Sequence, residues 1–222
     1  MSFFKKYRLF FGVMLIFSAI CIGLFYNVLE RKTLPVYNPA IVNPELVDST
    51  VQYVGRNHKI GNFSFINQNG KTITQKDYEG KIYVADFFFT TCASICPKMT
   101  SNMAEVQDAI LQNPKVMLLS HTVTPEMDSV PVLKKYALAH GVNDKKWNLV
   151  TGDKKEIYSI ARKSYLAVKL GKPDELYDMV HTENFVLVDS KRRVRGFYDG
   201  TNPKEIKRLI EDIEWLSQSE KN

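Results

Sequence analysis

Residues 82–89, Ile-Tyr-Val-Ala-Asp-Phe-Phe-Phe, form a nearly unbroken apolar, β-prone run. A run of that length and composition reads as a buried strand. It passes directly into Thr90-Thr91-Cys92-Ala93-Ser94-Ile95-Cys96-Pro97. Pro97 suits the first turn of a helix, where its missing N–H costs nothing. Met99, Met103, Val106 and Ile110 then recur at helical spacing. A helix over 97–112 is therefore predicted, stopped by Asn113-Pro114. Two cysteines thus stand where a central strand hands over to a helix. Spaced four apart, they lie about one turn from each other, and both sulfurs can point at one spot. A helix N-terminus favours thiolate there. Two thiolates so placed can form a disulfide or hold a soft metal.

The remaining chain falls into a regular order. Asn69-Gly70 between Phe63–Ile66 and Thr72–Thr74 is a hairpin signal. After the strand and helix just described, Val116–Val123 reads as a second buried strand. Pro131 opens a helix that Gly141 closes, Trp147–Val150 is a short strand, and 154–163 a helix. Leu166–Val180 is irregular, with Gly171, Pro173 and three acids. Asn184–Asp189 and Val194–Tyr198 pair about a turn at 190–193. Asn202-Pro203 caps a last helix whose Ile206, Leu209, Ile210, Ile213 and Leu216 share a face. Strands alternating with helices imply a parallel-dominated α/β sheet covered on both faces. The predicted fold is thioredoxin-like, with an N-terminal β-hairpin extension and one preceding transmembrane helix.

Leu9–Tyr26 is 18 residues without a charge, and apolar character continues to Leu29. That length can span a bilayer. Lys5, Lys6 and Arg8 precede it and orient the N-terminus to the cytoplasm; Arg31 and Lys32 follow it. No small-residue cleavage signal follows, so an uncleaved anchor is expected rather than a removed leader. Cys21 follows Ile20, not the small residue that lipidation wants, and reads as an apolar Cys. The expected organisation is a cytoplasmic N-terminus (1–8), an anchor (9–29), an extended or loosely docked Pro-rich linker (30–58) and a globular domain (59–218). That domain would lie on the periplasmic or extracytoplasmic side of the inner membrane, an oxidising compartment. Of the net charge of +6, residues 1–32 carry +4. The basic balance belongs largely to the tether, and no nucleic-acid partner is expected.

His181 stands just before the strand 184–189. In the thioredoxin plan that loop faces the cysteines across the sheet end, and reductases place a cis-proline there. No proline occurs here between Pro173 and Pro203. Two thiolates and an imidazole make a soft site that suits copper, Cu(I) or Cu(II); zinc usually takes four ligands in structural sites. Among other residues, His121 follows the apolar run of the second buried strand near the same sheet end, and reads as structural or as touching the site. His58 and His140 read as linker and helix-end residues, and Met99, Met103 and Met179 as packing. Glu126 and Asp128 read as turn and helix caps. Tyr177, Asp174, Glu175 and Asp178 read as a lid or docking loop before His181.

Phe89-Thr90-Thr91-Cys92-Ala93-Ser94-Ile95-Cys96-Pro97 resembles the copper-site motif of the Sco/SenC family, copper-binding proteins of thioredoxin-like fold. Residues 128–137 resemble that family's second block, and 181–189 with Gly196–Gly200 its histidine-bearing third. The resemblance covers about residues 59–217. It implies Cys92, Cys96 and His181 as copper ligands. It also implies help in metallating the dinuclear copper site of cytochrome c oxidase subunit II. The chain would act as copper donor or as a thiol reductase, with an upstream copper donor or reductase as a further partner. The acid that usually precedes the first proline of the second block is absent, since Val123-Thr124-Pro125 stands there.

Three functions follow as competing expectations. The first is a copper metallochaperone using Cys92, Cys96 and His181. The second is a thiol–disulfide oxidoreductase with Cys92 attacking and Cys96 resolving; the wide spacing and missing cis-proline argue against it as a general reductase. The third is a peroxidase using Cys92 with Thr90, Thr91 and Arg162, which leaves His181 unexplained.

Overall fold

The structure is a computed structural model. It describes residues 7–29, 33–170, 179–181 and 183–220, and for 26–29, 170 and 179–181 the backbone alone. The chain divides into two compact units, residues 1–34 and 35–222. The first contains one helix, α1 (Arg8–Leu29). Its 22 residues give about 33 Å of rise, the thickness of a bilayer's hydrocarbon core. The window Arg8–Phe25 has a mean hydropathy of 2.2, long and apolar enough to cross a membrane.

In the second unit the elements run β1 (Ser64–Asn67), β2 (Thr72–Thr74), β3 (Ile82–Phe88), α2 (Cys96–Ala109), β4 (Val116–Thr122) and α3 (Val130–Ala139). Then follow β5 (Trp147–Thr151), α4 (Lys154–Ile160), β6 (Val168–Leu170), β7 (Met179–His181), β8 (Asn184–Val188), β9 (Val194–Asp199) and α5 (Pro203–Ser219). A seven-stranded sheet has the order β2-β1-β5-β4-β3-β8-β9. Its centre, β5-β4-β3, is parallel, and its two flanks are antiparallel. This is the predicted architecture, hairpin extension included. Gly70, at φ +74°, makes the expected β1–β2 turn.

Alternation along β3 sorts its side chains into two layers. Tyr83, Ala85 and Phe87 join a core with Leu119, Ile157 and Tyr165. Phe88, on the other face, packs its ring 5.4 Å from that of Tyr136 on α3. All seven residues of β3 are buried, as expected of a central strand.

Two expectations are corrected. The linker read over 30–58 is not loose from Pro35 onward. Tyr37 bridges to Val194 and sets its ring 5.1 Å from Phe197, while Arg195 Nε donates to Pro35 O at 2.9 Å. Val47 is fully buried, and His58 Nε2 donates to Ser164 O at 2.8 Å. Prolines at 35, 39 and 44 shape this segment without freeing it, and its few apolar side chains seal the domain edge. The second correction lies after α4. The helix read over 154–163 ends at Ile160 and widens into a π turn, Ala161–Tyr165, closed by Leu166 at φ +56°. Beyond it, part of the stretch read as irregular pairs as the antiparallel β6–β7.

Candidate metal centre

The loop that carries the cysteines leaves β3 at its C-terminal end, and a buried carboxylate fixes its start. Asp128 has no exposure. It accepts from Thr90 N–H at 3.2 Å, from the hydroxyls of Thr90 and Thr122, and from Thr124 Oγ1 at 3.2 Å. A buried carboxylate stays in place only when its oxygens are hydrogen-bonded, and here the donors come from the loop after β3, from the last residue of β4 and from the loop after it. Asp128 therefore does not cap α3, as the sequence suggested; Ser129 takes that position and makes no side-chain cap. Thr124, standing where the resemblance leads one to expect an acid, gives its hydroxyl to Asp128.

Cys92 follows two residues later, its N–H donating to Phe89 O at 3.3 Å. Its Sγ accepts the N–H of Cys96, the first residue of α2, at 3.4 Å, and Ser94 Oγ lies 3.6 Å away. Ile95 offers no side-chain cap, so the Cys92 sulfur takes the acceptor's place at the helix start. Burial opposes ionisation of Cys92, but hydrogen bonds from Cys96 and Ser94 outweigh it and lower the thiol to about 7. Cys96 behaves oppositely. It is fully buried, and burial, with the charges of Cys92 and Asp86 adding, pushes its thiol well above the ordinary range. The thiolate expected at the helix N-terminus is thus favoured at Cys92 and opposed at Cys96. The two thiols are unbridged.

On the Phe88 face of β3, close enough for Asp86 to act on the Cys96 thiol, lies a polar chain that the sequence reading passed over. Trp147 Nε1 donates to Ser120 Oγ at 2.8 Å, and Ser120 Oγ donates to Asp86. Asp86 sits on the Phe88 face of β3, and burial raises its carboxyl to about 7 against the Ser120 hydrogen bond. An acid inside an apolar strand run was the available signal, because such residues are buried only with a partner.

His181 ends β7, its backbone opposite Val168. Three residues later β8 begins at Asn184. Val186 lies opposite Ala85, so β8 starts at the sheet end from which the cysteine loop leaves. Gly200 helps hold this entry. Its N–H bonds Glu183 O, its carbonyl accepts from Asn102 of α2 at 2.7 Å, and a Cβ there would meet the Phe185 ring at 2.6 Å. The His181 side chain is outside the described residues, as are Asp174, Glu175, Tyr177, Asp178 and the Met179 side chain. Among the described residues no three His, Cys, Asp or Glu gather as a metal site.

The other candidates fall elsewhere. His121 is fully buried on the Phe87 face, stacked 5.0 Å from that ring, and 5.5 Å from Phe65. It lies across the sheet from Asp86, and burial lowers it to about 3. His58 is the docking residue already described, and His140 ends α3 against Tyr136. Met99 and Met103 are core. The Arg162 guanidinium donates to the carbonyls of Glu45, Val47 and Val168, which leaves the peroxidase reading without its arginine. No peptide bond among the described residues is cis.

The SCO1/SenC family model matches residues 51–218. The chain belongs to the SCO1/SenC family. Like the SCO1/SenC relatives, it has the Sco thioredoxin-like α/β fold. A SCO1 protein homolog of Bacillus subtilis (strain 168) is 32% identical over 163 residues, covering 72% of this chain and 84% of the relative. Among solved structures, BsSco, a member of the Sco family of cytochrome c oxidase assembly proteins in which a disulfide switch was identified, is 33% identical with a TM-score of 0.62. It covers 72% of this chain and 94% of its own. Bradyrhizobium japonicum ScoI with copper bound is 26% identical, with a TM-score of 0.58, covering 72% of this chain and 99% of its own. The SCO1/SenC match begins at Val51, within the docked segment, so the family unit includes part of what the sequence suggested was linker.

Proposed function

We propose that this SCO1/SenC protein is a membrane-anchored copper metallochaperone that carries one copper ion on Cys92, Cys96 and His181. Its acceptor would be the dinuclear copper site of cytochrome c oxidase subunit II. The observation that carries the reading is the pairing of an easily ionised Cys92 with a buried Cys96 at the start of α2, in a family with a copper-bound member. Thiolate and imidazole donors suit copper. Binding requires Cys96 to give up a proton that burial holds, so the metal's charge supplies what the site lacks. Release proceeds by ligand exchange, one incoming donor at a time. Cys92, the less buried of the two and the better anion, is the ligand where exchange begins. α1 serves as the anchor, and Lys5, Lys6 and Arg8 place residues 35–222 on the extracytoplasmic side.

The test is a copper titration of the full chain in uncharged detergent under reducing conditions, on wild type and His181→Ala. One tightly bound copper per chain, lost in the variant, is expected. Undiminished affinity in the variant would remove His181 from the ligand set.

A second reading rests on the unequal acidity of the two thiols, and on the disulfide switch in BsSco. The Cys92 thiolate attacks one sulfur of a partner disulfide, breaking that S–S bond, releasing the other sulfur as thiolate and forming a mixed disulfide. Cys96 then displaces the attacked sulfur, leaving the partner reduced and Cys92–Cys96 oxidised. A separate thiol reductant restores the pair. Cys96→Ser should trap the mixed disulfide with a test substrate, and this reading requires that exchange survive His181→Ala.

A further inference from the structure

The segment from Pro35 to Ile60 packs onto the domain, yet two of its large side chains stay out. Tyr53 is 82% exposed and Ile41 64%. Among the described residues of 35–222, no large apolar side chain is more exposed than Tyr53. The two stand together. Ala40 N–H donates to Val54 O at 3.1 Å, so their chain neighbours Ile41 and Tyr53 flank one hydrogen bond. Both turns are held. Ile41 N–H donates to Asn38 O at 3.1 Å, and the Asn38 side-chain oxygen accepts His58 N–H at 3.1 Å. Gln52 Nε2 donates to the carbonyls of Pro44 and Val47, and Val54 N–H donates to Val51 O at 2.9 Å. The pair is presented on a fixed base, so its backbone has little freedom left to lose on meeting a surface.

Single exposed apolar side chains are ordinary, and Leu138 of α3 is one. Two observations set this pair apart. The first is its place in the chain. α1 ends at Leu29, and Tyr37 N–H already donates to Val194 O. Eight residue steps span at most about 29 Å when fully extended. Contour length alone therefore keeps Tyr37, and the pair close after it, near the end of a helix able to cross a membrane. The second observation is charge. Residues 33–60 carry Glu45 and Asp48 against Arg56 and Lys59, which balance. An apolar pair in a neutral segment suits the uncharged part of a bilayer interface. A tyrosine ring is apolar with a polar tip and sits well at head-group level, while isoleucine enters the acyl boundary below it.

We propose that Ile41 and Tyr53 form a membrane-contact pair, docking this edge of the domain onto the surface of the bilayer that α1 crosses. The proposal rests on the reading of α1 as a membrane anchor and is independent of copper. Two side chains alone would bind a lipid surface weakly. The tether makes the contact intramolecular, at an effective concentration that for short linkers reaches the millimolar range, so a weak contact is populated. Docking restrains the rotation of residues 35–222 about their tether. Because the segment carries no net charge, the contact needs no anionic lipid and survives salt.

The test uses the full chain in nanodiscs of phosphatidylcholine brominated on its acyl chains, which quenches nearby tryptophan. Tyr53→Trp reports on the pair and Phe17→Trp, within α1, on the anchor; the wild-type chain, with Trp147 and Trp215, gives the background. Quenching is expected in both variants, and for Tyr53→Trp it should persist at about 0.5 M salt. Adding Ile41→Asp to Tyr53→Trp should lower the docked-to-free ratio about tenfold. Thermal melting checks that the variants fold. An unquenched Phe17→Trp removes the anchor reading and this proposal with it. Quenching of Phe17→Trp without Tyr53→Trp leaves the anchor standing and overturns the docking. Quenching that Ile41→Asp leaves in full, or that salt abolishes, overturns it too. So does an emission shift of Tyr53→Trp that follows protein concentration without quenching, which assigns the pair to a second copy of the chain.

Discussion

Cys92 and Cys96 are four residues apart, yet they differ in acidity because burial raises Cys96, whereas hydrogen bonds from Cys96 and Ser94 outweigh burial at Cys92. Cys92 accepts the Cys96 N–H, and its thiol falls to about 7; Cys96 donates that N–H and lies buried. At pH 7 Cys92 should react with iodoacetamide more than about tenfold faster than Cys96, since the thiolate is the nucleophile. Mass mapping of alkylated peptides from the metal-free protein reads this directly, and equal rates would refute the assigned asymmetry. Asp128 sets the loop that makes this geometry. Asp128→Ala leaves the Thr90 N–H and three threonine hydroxyls without their acceptor, and should destabilise the protein by about 2–4 kcal/mol. It should also speed hydrogen exchange over 90–95. Asp128→Asn, which keeps one acceptor oxygen, should fall between the two. Cap spacing in the sequence pointed Asp128 at a helix, because its real donors, in the loop after β3 and at the end of β4 and just beyond, meet only after β3 and β4 pair.

At the scale of elements, the segment from Pro35 to Ile60 behaves as part of the domain. Among the contacts that hold it are the Tyr37–Val194 bridge, the buried Val47 and the His58–Ser164 hydrogen bond. A chain beginning at Pro35 should therefore unfold cooperatively, whereas one beginning at Lys59 should lose about 3 kcal/mol or more, from one buried valine and at least one buried hydrogen bond. Urea midpoints of the two truncations decide the matter. The π turn after α4 belongs to the same edge. Arg162 leaves the helix there to serve carbonyls of the docked segment and of β6. Neither feature has a periodic signature. Docking depends on single side chains meeting a distant surface, and the widened turn depends on what Arg162 can reach.

Across the whole molecule, two buried ionisable groups stand on neighbouring strands and opposite faces. Asp86 is raised to about 7, so the folded state keeps a proton that the unfolded chain releases; its contribution is present at low pH and is lost as pH rises from about 4 to 7. His121 is lowered to about 3, so the unfolded chain takes up a proton that the folded state refuses; its contribution is present above 6.5 and is lost as pH falls toward 3. Between about 4 and 6.5 the two slopes oppose each other. Asp86→Asn should unmask the histidine, giving stability that falls on acidification from pH 7 to 4.5. His121→Phe should unmask the aspartate and give the reverse, each with a slope of up to about 1.4 kcal/mol per pH unit. Urea midpoints at the two pH values test this, and parallel behaviour of the two variants would exclude it.

By itself the sequence determined the apolar helix, the order of strands and helices, and the cysteines at the end of the central strand. Those features follow from local composition and periodicity, which read the same before and after folding. It also held the family resemblance, which the matched residues 51–218 bear out. Only the tertiary structure decided that Asp128 takes donors from the chain after β3 and around the end of β4, that Asp86 pairs with Ser120 and acts on Cys96, and that His121 belongs to the opposite layer. It alone showed that the segment from Pro35 is packed. Each of these depends on which face of which strand a side chain takes, and on what the neighbouring strand sets against it. Strand pairing brings together residues tens of positions apart, and no local pattern records the meeting.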